Sequence, residues 1–183
     1  FKGNGINKPL IGFADIHTHM GMSSEMSYAG DVGPSAGGVL YGEVIHRFGV
    51  DHALENCEDI HGPNGIRDGN NVLSMSPTDT HNTEGWPTFV DWPRRDYLTH
   101  QVMYYKWVER AYLSGLRLMV NHGTNITALC NVGKVLATNP QADCNDMSVA
   151  VKQLEYLFDV QDYIDAQSGG PGKGWYRIVK SPQ

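Results

Sequence analysis

The chain has 183 residues, 40% of them hydrophobic, which is enough to build one domain with a real core rather than a disordered segment. Its 14 Lys and Arg against 20 Asp and Glu leave a net charge of −6. That balance excludes a dedicated nucleic-acid binder, which needs a basic face to offset phosphate, and no run of about 18 apolar residues exists to span a membrane.

The sequence starts at Phe1 without a signal-peptide pattern, and reads as a mature or trimmed end. A turn at Lys8-Pro9 leads into Leu-Ile-Gly-Phe-Ala-Asp-Ile over 10–16, a short, nearly continuous apolar run of the kind a strand buried on both faces requires. Asp15-Ile16-His17-Thr18-His19 ends that run. Side chains alternate along a strand, so His-x-His presents two imidazoles on one face, suited to zinc, iron or manganese. Asp15 shares that face, as a third ligand or as an acceptor that orients a ring.

Residues 20–96 are rich in Gly, Pro, Ser, Asp and Asn. Short helices are expected over 39–48 and 50–56, and turns at Gly33-Pro34, Gly62-Pro63, Asp68-Gly69 and Trp92-Pro93. Cys57-x3-His61 with Asp68 is a weak pattern for a second metal site, and Asp68-Gly69-Asn70-Asn71 lacks the acidic spacing of a calcium loop. The segment around Trp86 and Trp92-Pro93-Arg94-Arg95 reads as a loop plug, with a carbohydrate or substrate ring as its other use.

Over 96–114, Leu98, Val102, Tyr105, Val108 and Tyr112 recur at three and four, predicting a helix capped by Asp96 and stopped by Gly115. Leu116 to Val120 is a second strand, ending in Asn121-His122-Gly123, which places Asn121 and His122 at the pocket side. A helical turn is expected over 128–135. A second long helix follows over 149–166, capped by Ser148, with Val151, Leu154, Leu157 or Phe158, and Ile164 as its buried side. Ser168 to Gly172 ends it, Trp175 to Val179 reads as a third strand, and Ser181-Pro182 as the start of another helix.

Of three cysteines, Cys130 and Cys144 flank a polar stretch that a disulfide could close, leaving Cys57 odd. With the sequon Asn125-Ile126-Thr127, this leans toward an extracellular or periplasmic location.

Strands alternating with helices imply an α/β fold with right-handed crossovers and a parallel sheet. Three strands would leave open edges, so the expected architecture is the N-terminal portion of a (β/α)8 TIM-like barrel with a long insertion after strand 1. The chain divides as 1–19 (strand 1 with the metal motif), 20–96 (insertion) and 97–183 (αβαβ units). A free-standing three-stranded α/β domain is the other arrangement.

Phe13-Ala14-Asp15-Ile16-His17-Thr18-His19-Met20 resembles the first-strand motif of the amidohydrolase-like metal-dependent hydrolases, with related signatures in the PHP phosphoesterases and the membrane-dipeptidase-like group. Trp107 to Val120, with Arg110-Ala111 and Gly115-Leu116-Arg117-Leu118, is similar to the first helix and second strand of a dipeptidase-like bacterial branch. The resemblance implies a (β/α)8 barrel, one or two metals, and hydrolysis of an amide, ester or phosphoester on a small-molecule substrate. Only His17 and His19 carry over as ligands. Membrane dipeptidases have His-x-Asp where this chain has His19. The general base and remaining ligands would come from barrel strands of the same or another chain. Two other functions stand beside the enzyme: a structural subunit of a self-assembling extracellular array with a vestigial or stabilising metal, and one half of a split barrel hydrolase.

Overall fold

The computed structural model describes residues 9–21, 43–54, 104–128, 130–131 and 143–180. Along them run β1 (Phe13–Thr18), α1 (Val50–Ala53), α2 (Tyr105–Leu113), β2 (Leu116–Asn121) and α3 (Asp146–Gln167). The Cys57, His61 and Asp68 group, the Asp68 to Asn71 loop, the Trp86 to Arg95 stretch, the Asp96 cap and Ser181-Pro182 lie outside the described residues.

β1 and β2 pair in parallel, with Phe13 opposite Leu116 and Asp15 opposite Met119. Parallel neighbours require a crossover, which the chain supplies between Thr18 and Leu116. α2 feeds β2 through a tight turn. Ser114 N–H returns to the Arg110 carbonyl and Gly115 N–H to that of Tyr112, with Gly115 at φ +112°, a conformation that favours glycine. The Gly115 carbonyl then accepts Phe13 N–H at 3.0 Å and opens the ladder.

The core gathers on one side of this pair. Val44, Ala53 and Leu54, then Tyr104, Tyr105 and Val108, pack against Tyr156, Leu157, Val160 and Ile164 of α3, and Met20 joins them from the end of β1. From β2, Met119 reaches this cluster, while Leu118 and Val120 on its opposite face are exposed.

Several elements depart from the sequence reading. β1 is not buried on both faces, nor on either: Phe13 and Ile16, on opposite faces, are 51% and 72% exposed, as are Leu10 and Ile11 just before it at 65% and 78%, and β2 is its one strand neighbour among the described residues. Residues 43–48 are not helical. Their backbone groups take tertiary partners instead: Glu43 N–H bonds the Ala53 carbonyl, the Val44 carbonyl accepts Tyr105 N–H, and Ile45 N–H bonds the Tyr156 hydroxyl. Among the described residues of the two expected helices, the four-residue α1 is the helical part. α2 starts at Tyr105 because Tyr104 is extended, at ψ 136°.

α3 begins three residues before the expected start. Asn145, not Ser148, is its N-cap, with its side-chain oxygen accepting Ser148 N–H at 2.9 Å. Its buried stripe is Val149, Gln153, Tyr156, Leu157, Val160 and Ile164, whereas Val151, Leu154 and Phe158 are exposed. Trp175 to Val179 is not a ladder strand. Ile178 N–H goes to the Gln161 side chain, and a cavity of about 420 Å³, lined by Leu118, Leu154 and Ile178 among others, stands between this segment and β2.

A carboxylate fixes where that segment returns. Asp165, buried at the end of α3, accepts Gly172 N–H at 2.8 Å, Gly174 N–H at 2.7 Å and the Arg177 guanidinium at 2.5 Å. The Arg177 hydrogen bond, followed by the two backbone N–H groups, holds its carboxyl at about 2, below the usual 3.8. Asp143 is held at about 2 as well, chiefly by the Ser148 hydroxyl and Asn145 N–H. A carboxylate with a depressed folded pKa contributes stability above its unfolded pKa, near 4, and loses it as pH falls toward 2. Thermal unfolding followed from pH 6 to 2 is therefore expected to show the melting temperature dropping between about 4 and 2. Asp165→Asn is expected to flatten that drop; an unchanged profile in this variant would show that Asp165 does not carry it.

Candidate metal centre

Both strands end at one place, and the histidines meet there. The Asp15 carboxylate accepts the N–H of His17 at 3.1 Å, drawing that N–H out of the ladder exactly where the pairing is irregular, between Asp15 and Thr18. Register resumes at Thr18 opposite Asn121. Asp15 thus shapes the strand under His17, and one of its oxygens is already engaged.

Asn121 ties the strand ends together. Its Oδ1 accepts the Thr18 hydroxyl at 2.8 Å and Met20 N–H at 3.1 Å. His122 then binds β1 twice and the residue after it once: its N–H donates to the Thr18 carbonyl (2.8 Å), its ring Nε2 lies 3.3 Å from the Ile16 carbonyl, and its own carbonyl lies 3.1 Å from His19 Nδ1.

These contacts define the ring protons. A carbonyl only accepts, so His19 Nδ1 carries hydrogen and its Nε2 presents a lone pair. That Nε2 lies 3.0 Å from His17 Nε2. The same reasoning puts a proton on His122 Nε2. The ring centroids of His17 and His19 are 4.9 Å apart, those of His17 and His122 4.7 Å, and those of His19 and His122 5.8 Å.

The pair has the donor chemistry of two neighbouring metal ligands. Metal–imidazole bonds run about 2.0–2.1 Å, so two such donors on one cation lie roughly 3 Å apart, and a histidine ligand commonly donates its other ring N–H to a carbonyl. Among the described residues, no group of three or more His, Cys, Asp or Glu side chains gathers to hold a metal. Asp15 and the His122 ring stand beside the pair without completing such a group.

The helix α3 supports this end of the sheet. A Cβ on Gly21 would fall 2.6 Å from the Gln153 carbonyl oxygen, and one on Gly123 would fall 2.8 Å from that of Ala150. Gln153 also reaches up with its side chain, accepting Thr124 N–H at 2.8 Å and donating to the Thr124 carbonyl at 2.7 Å. Sequence reasoning passed over Gln153. Its signal was a polar residue inside the spacing Val149, Gln153, Tyr156, Val160 and Ile164, where an amide stays buried only if it is bonded.

Beyond Thr124, Cys130 N–H bonds the Ile126 carbonyl in a helical turn, and Cys130 and Cys144 form a disulfide. The sequon residues Asn125 and Thr127 both donate to Asp146 Oδ1 at 2.9 Å. The disulfide accords with an oxidising compartment, and among the described residues no helix is long and apolar enough to cross a membrane. Compared with protein-family models, with curated proteins and with solved structures, the chain matches none.

Proposed function

We propose that this chain carries two ligands, His17 and His19, of a divalent metal site in a hydrolase acting on an amide, ester or related bond, in an extracellular or periplasmic setting. The observation that carries the reading is the approach of the two Nε2 atoms to 3.0 Å, with His19 Nδ1 donating to the His122 carbonyl. Without a cation, the one ring proton on His17 Nε2 satisfies both nitrogens; a cation would take both Nε2 lone pairs, with that proton moving to His17 Nδ1.

Zinc, or iron or manganese, held there supplies Lewis acidity, lowering the pKa of water to near neutrality and polarising the scissile bond. The chain's own groups do the placing. Asp15 sets the backbone of His17, Asn121 locks Thr18 to Met20, and His122 turns the His19 ring. The remaining ligands and the general base come from outside this group of residues.

One observation favours the split or continued barrel among the other readings. β1 exposes Phe13 and Ile16, on its two faces, at 51% and 72% and has one strand partner among the described residues. A parallel strand with apolar residues on both faces belongs inside a larger sheet, completed by the same polypeptide or by another.

Native mass spectrometry of the purified chain tests the metal reading. About one equivalent of zinc, iron or manganese is expected, absent from a His17→Ala, His19→Ala double variant whose circular dichroism is unchanged. A wild-type chain that takes up none of these ions would overturn it.

A further inference from the structure

Gln153 of α3 is 1% exposed, between Val149 and the buried Tyr156 and Leu157. Its amide grips both backbone polar groups of one residue, Thr124, two positions after His122. Residue 123 between them is a glycine pressed against the Ala150 carbonyl oxygen, so the 122–124 backbone rests on one turn of α3. The same turn meets the exit of β1, where Gly21 abuts the Gln153 carbonyl.

We infer that Gln153 is a positioning residue for the metal centre: by holding Thr124 it aims the His122 carbonyl at His19 Nδ1, and so fixes His19 as the tautomer whose Nε2 lone pair faces His17. The significance for metal binding rests on the hydrolase reading above; the control of the tautomer does not.

The geometry supports this over a purely structural amide. A buried glutamine serving stability alone needs partners for its donor and acceptor anywhere nearby. Here both go to the segment that carries the His122 carbonyl. Without that grip the glycine at 123 leaves the 122 peptide free to turn, and an imidazole with no acceptor at Nδ1 distributes its proton over both nitrogens.

The test has two arms, both on the full chain. In the first, ring ¹⁵N shifts of the protein without added metal are recorded at a pH of about 8. Wild type is expected to show His19 protonated at Nδ1. Gln153→Met, similar in volume and unable to make either bond, is expected to show a mixture. Val160→Ala, which thins the same buried stripe of α3 without touching Thr124, is expected to keep the wild-type pattern. Gln153→Glu keeps an acceptor for Thr124 N–H and is expected to fall between, and it decides the question alone if the methionine variant does not fold. A His19 pattern unchanged in the folded Gln153 variants would overturn the inference.

In the second arm, Zn²⁺ is titrated into the same proteins. Gln153→Met is expected to bind about 10–100-fold more weakly than wild type, and Gln153→Glu to lose less. Equal affinities in wild type and Gln153→Met would overturn the link to metal binding. A wild type that binds no Zn²⁺ but shows the tautomer shift would overturn the metal reading and leave Gln153's control of His19 standing.

Discussion

Replacing Cys130 and Cys144 with serine is expected to destabilise the fold by about 2–4 kcal/mol, a drop in melting temperature of roughly 5–15 °C for a chain of this size. The bridge spans 14 positions with the two Cα atoms 5.5 Å apart. Joining the ends of such a loop removes conformations chiefly from the unfolded chain, and that entropy is worth about 3 kcal/mol. The folded geometry should survive the loss. Asn125 and Thr127 also hold Asp146, Thr127 bonds the Cys144 carbonyl at 2.9 Å, and Asn145 caps α3 independently. The serine variant should therefore keep its wild-type circular dichroism at 20 °C while melting earlier. Thermal unfolding with and without reductant gives the same comparison on the wild-type chain. Equal melting temperatures in the oxidised and disulfide-free forms would show that the loop is already ordered in the unfolded ensemble or that the bridge is strained enough to cancel its benefit.

The parts of this molecule that local pattern controls were legible in the sequence. The two strands were, because each is a short apolar run bounded by turn residues. The stop at Gly115, the end of α3 before the 168–172 turn and the cysteine pairing were too, since each depends on residues near one another in the chain. What tertiary contact decides was not. The backbone of 43–48 carries apolar residues at helical spacing, yet its groups bond to Ala53, Tyr105 and Tyr156. The buried stripe of α3 was half legible: Leu157 and Ile164 are buried as expected, but choosing the most apolar positions also takes in Val151 and Leu154 and skips Gln153, whose burial depends on Thr124, 29 positions away. Trp175 to Val179 has the composition of a strand, but the Asp165 ion pair and the Gln161 side chain hold it off β2.

The candidate site divides in the same way. The approach of His17 to His19 was legible because His-x-His at a strand end is a local pattern, and the structure places their Nε2 atoms 3.0 Å apart. The roles of Asn121 and His122 were not, since both act across the strand pair, on Thr18, Met20, Ile16 and His19. The pairing of the two rings is easier to read from a sequence than what orients them: the pair follows from strand alternation, whereas orienting groups can be any carbonyl or amide at the right place.

That dependence on placement makes the two close approaches to α3 a direct test of the platform. Gly21→Ala and Gly123→Ala are each expected to cost about 1–3 kcal/mol in urea unfolding and to weaken Zn²⁺ binding. The added Cβ would lie 2.6 Å and 2.8 Å from backbone carbonyl oxygens of Gln153 and Ala150, distances that real Cβ atoms essentially never show. A flexible side chain could swing aside, but a carbonyl inside a helix is held by its own hydrogen bond, so the strand ends and α3 must separate. Separation at Gly123 would stretch the Gln153 contacts to Thr124 and turn the His122 carbonyl away from His19. Separation at Gly21 acts on the other side, through Met20, which is both a core residue and a donor to Asn121. The Gly123 variant should therefore lose more Zn²⁺ affinity per unit of stability lost, because its displacement leads straight to the carbonyl that sets the ring. Equal stability in both alanine variants would show that α3 does not seat the strand ends, and equal Zn²⁺ affinity despite lost stability would show that the histidine pair holds its geometry without that support.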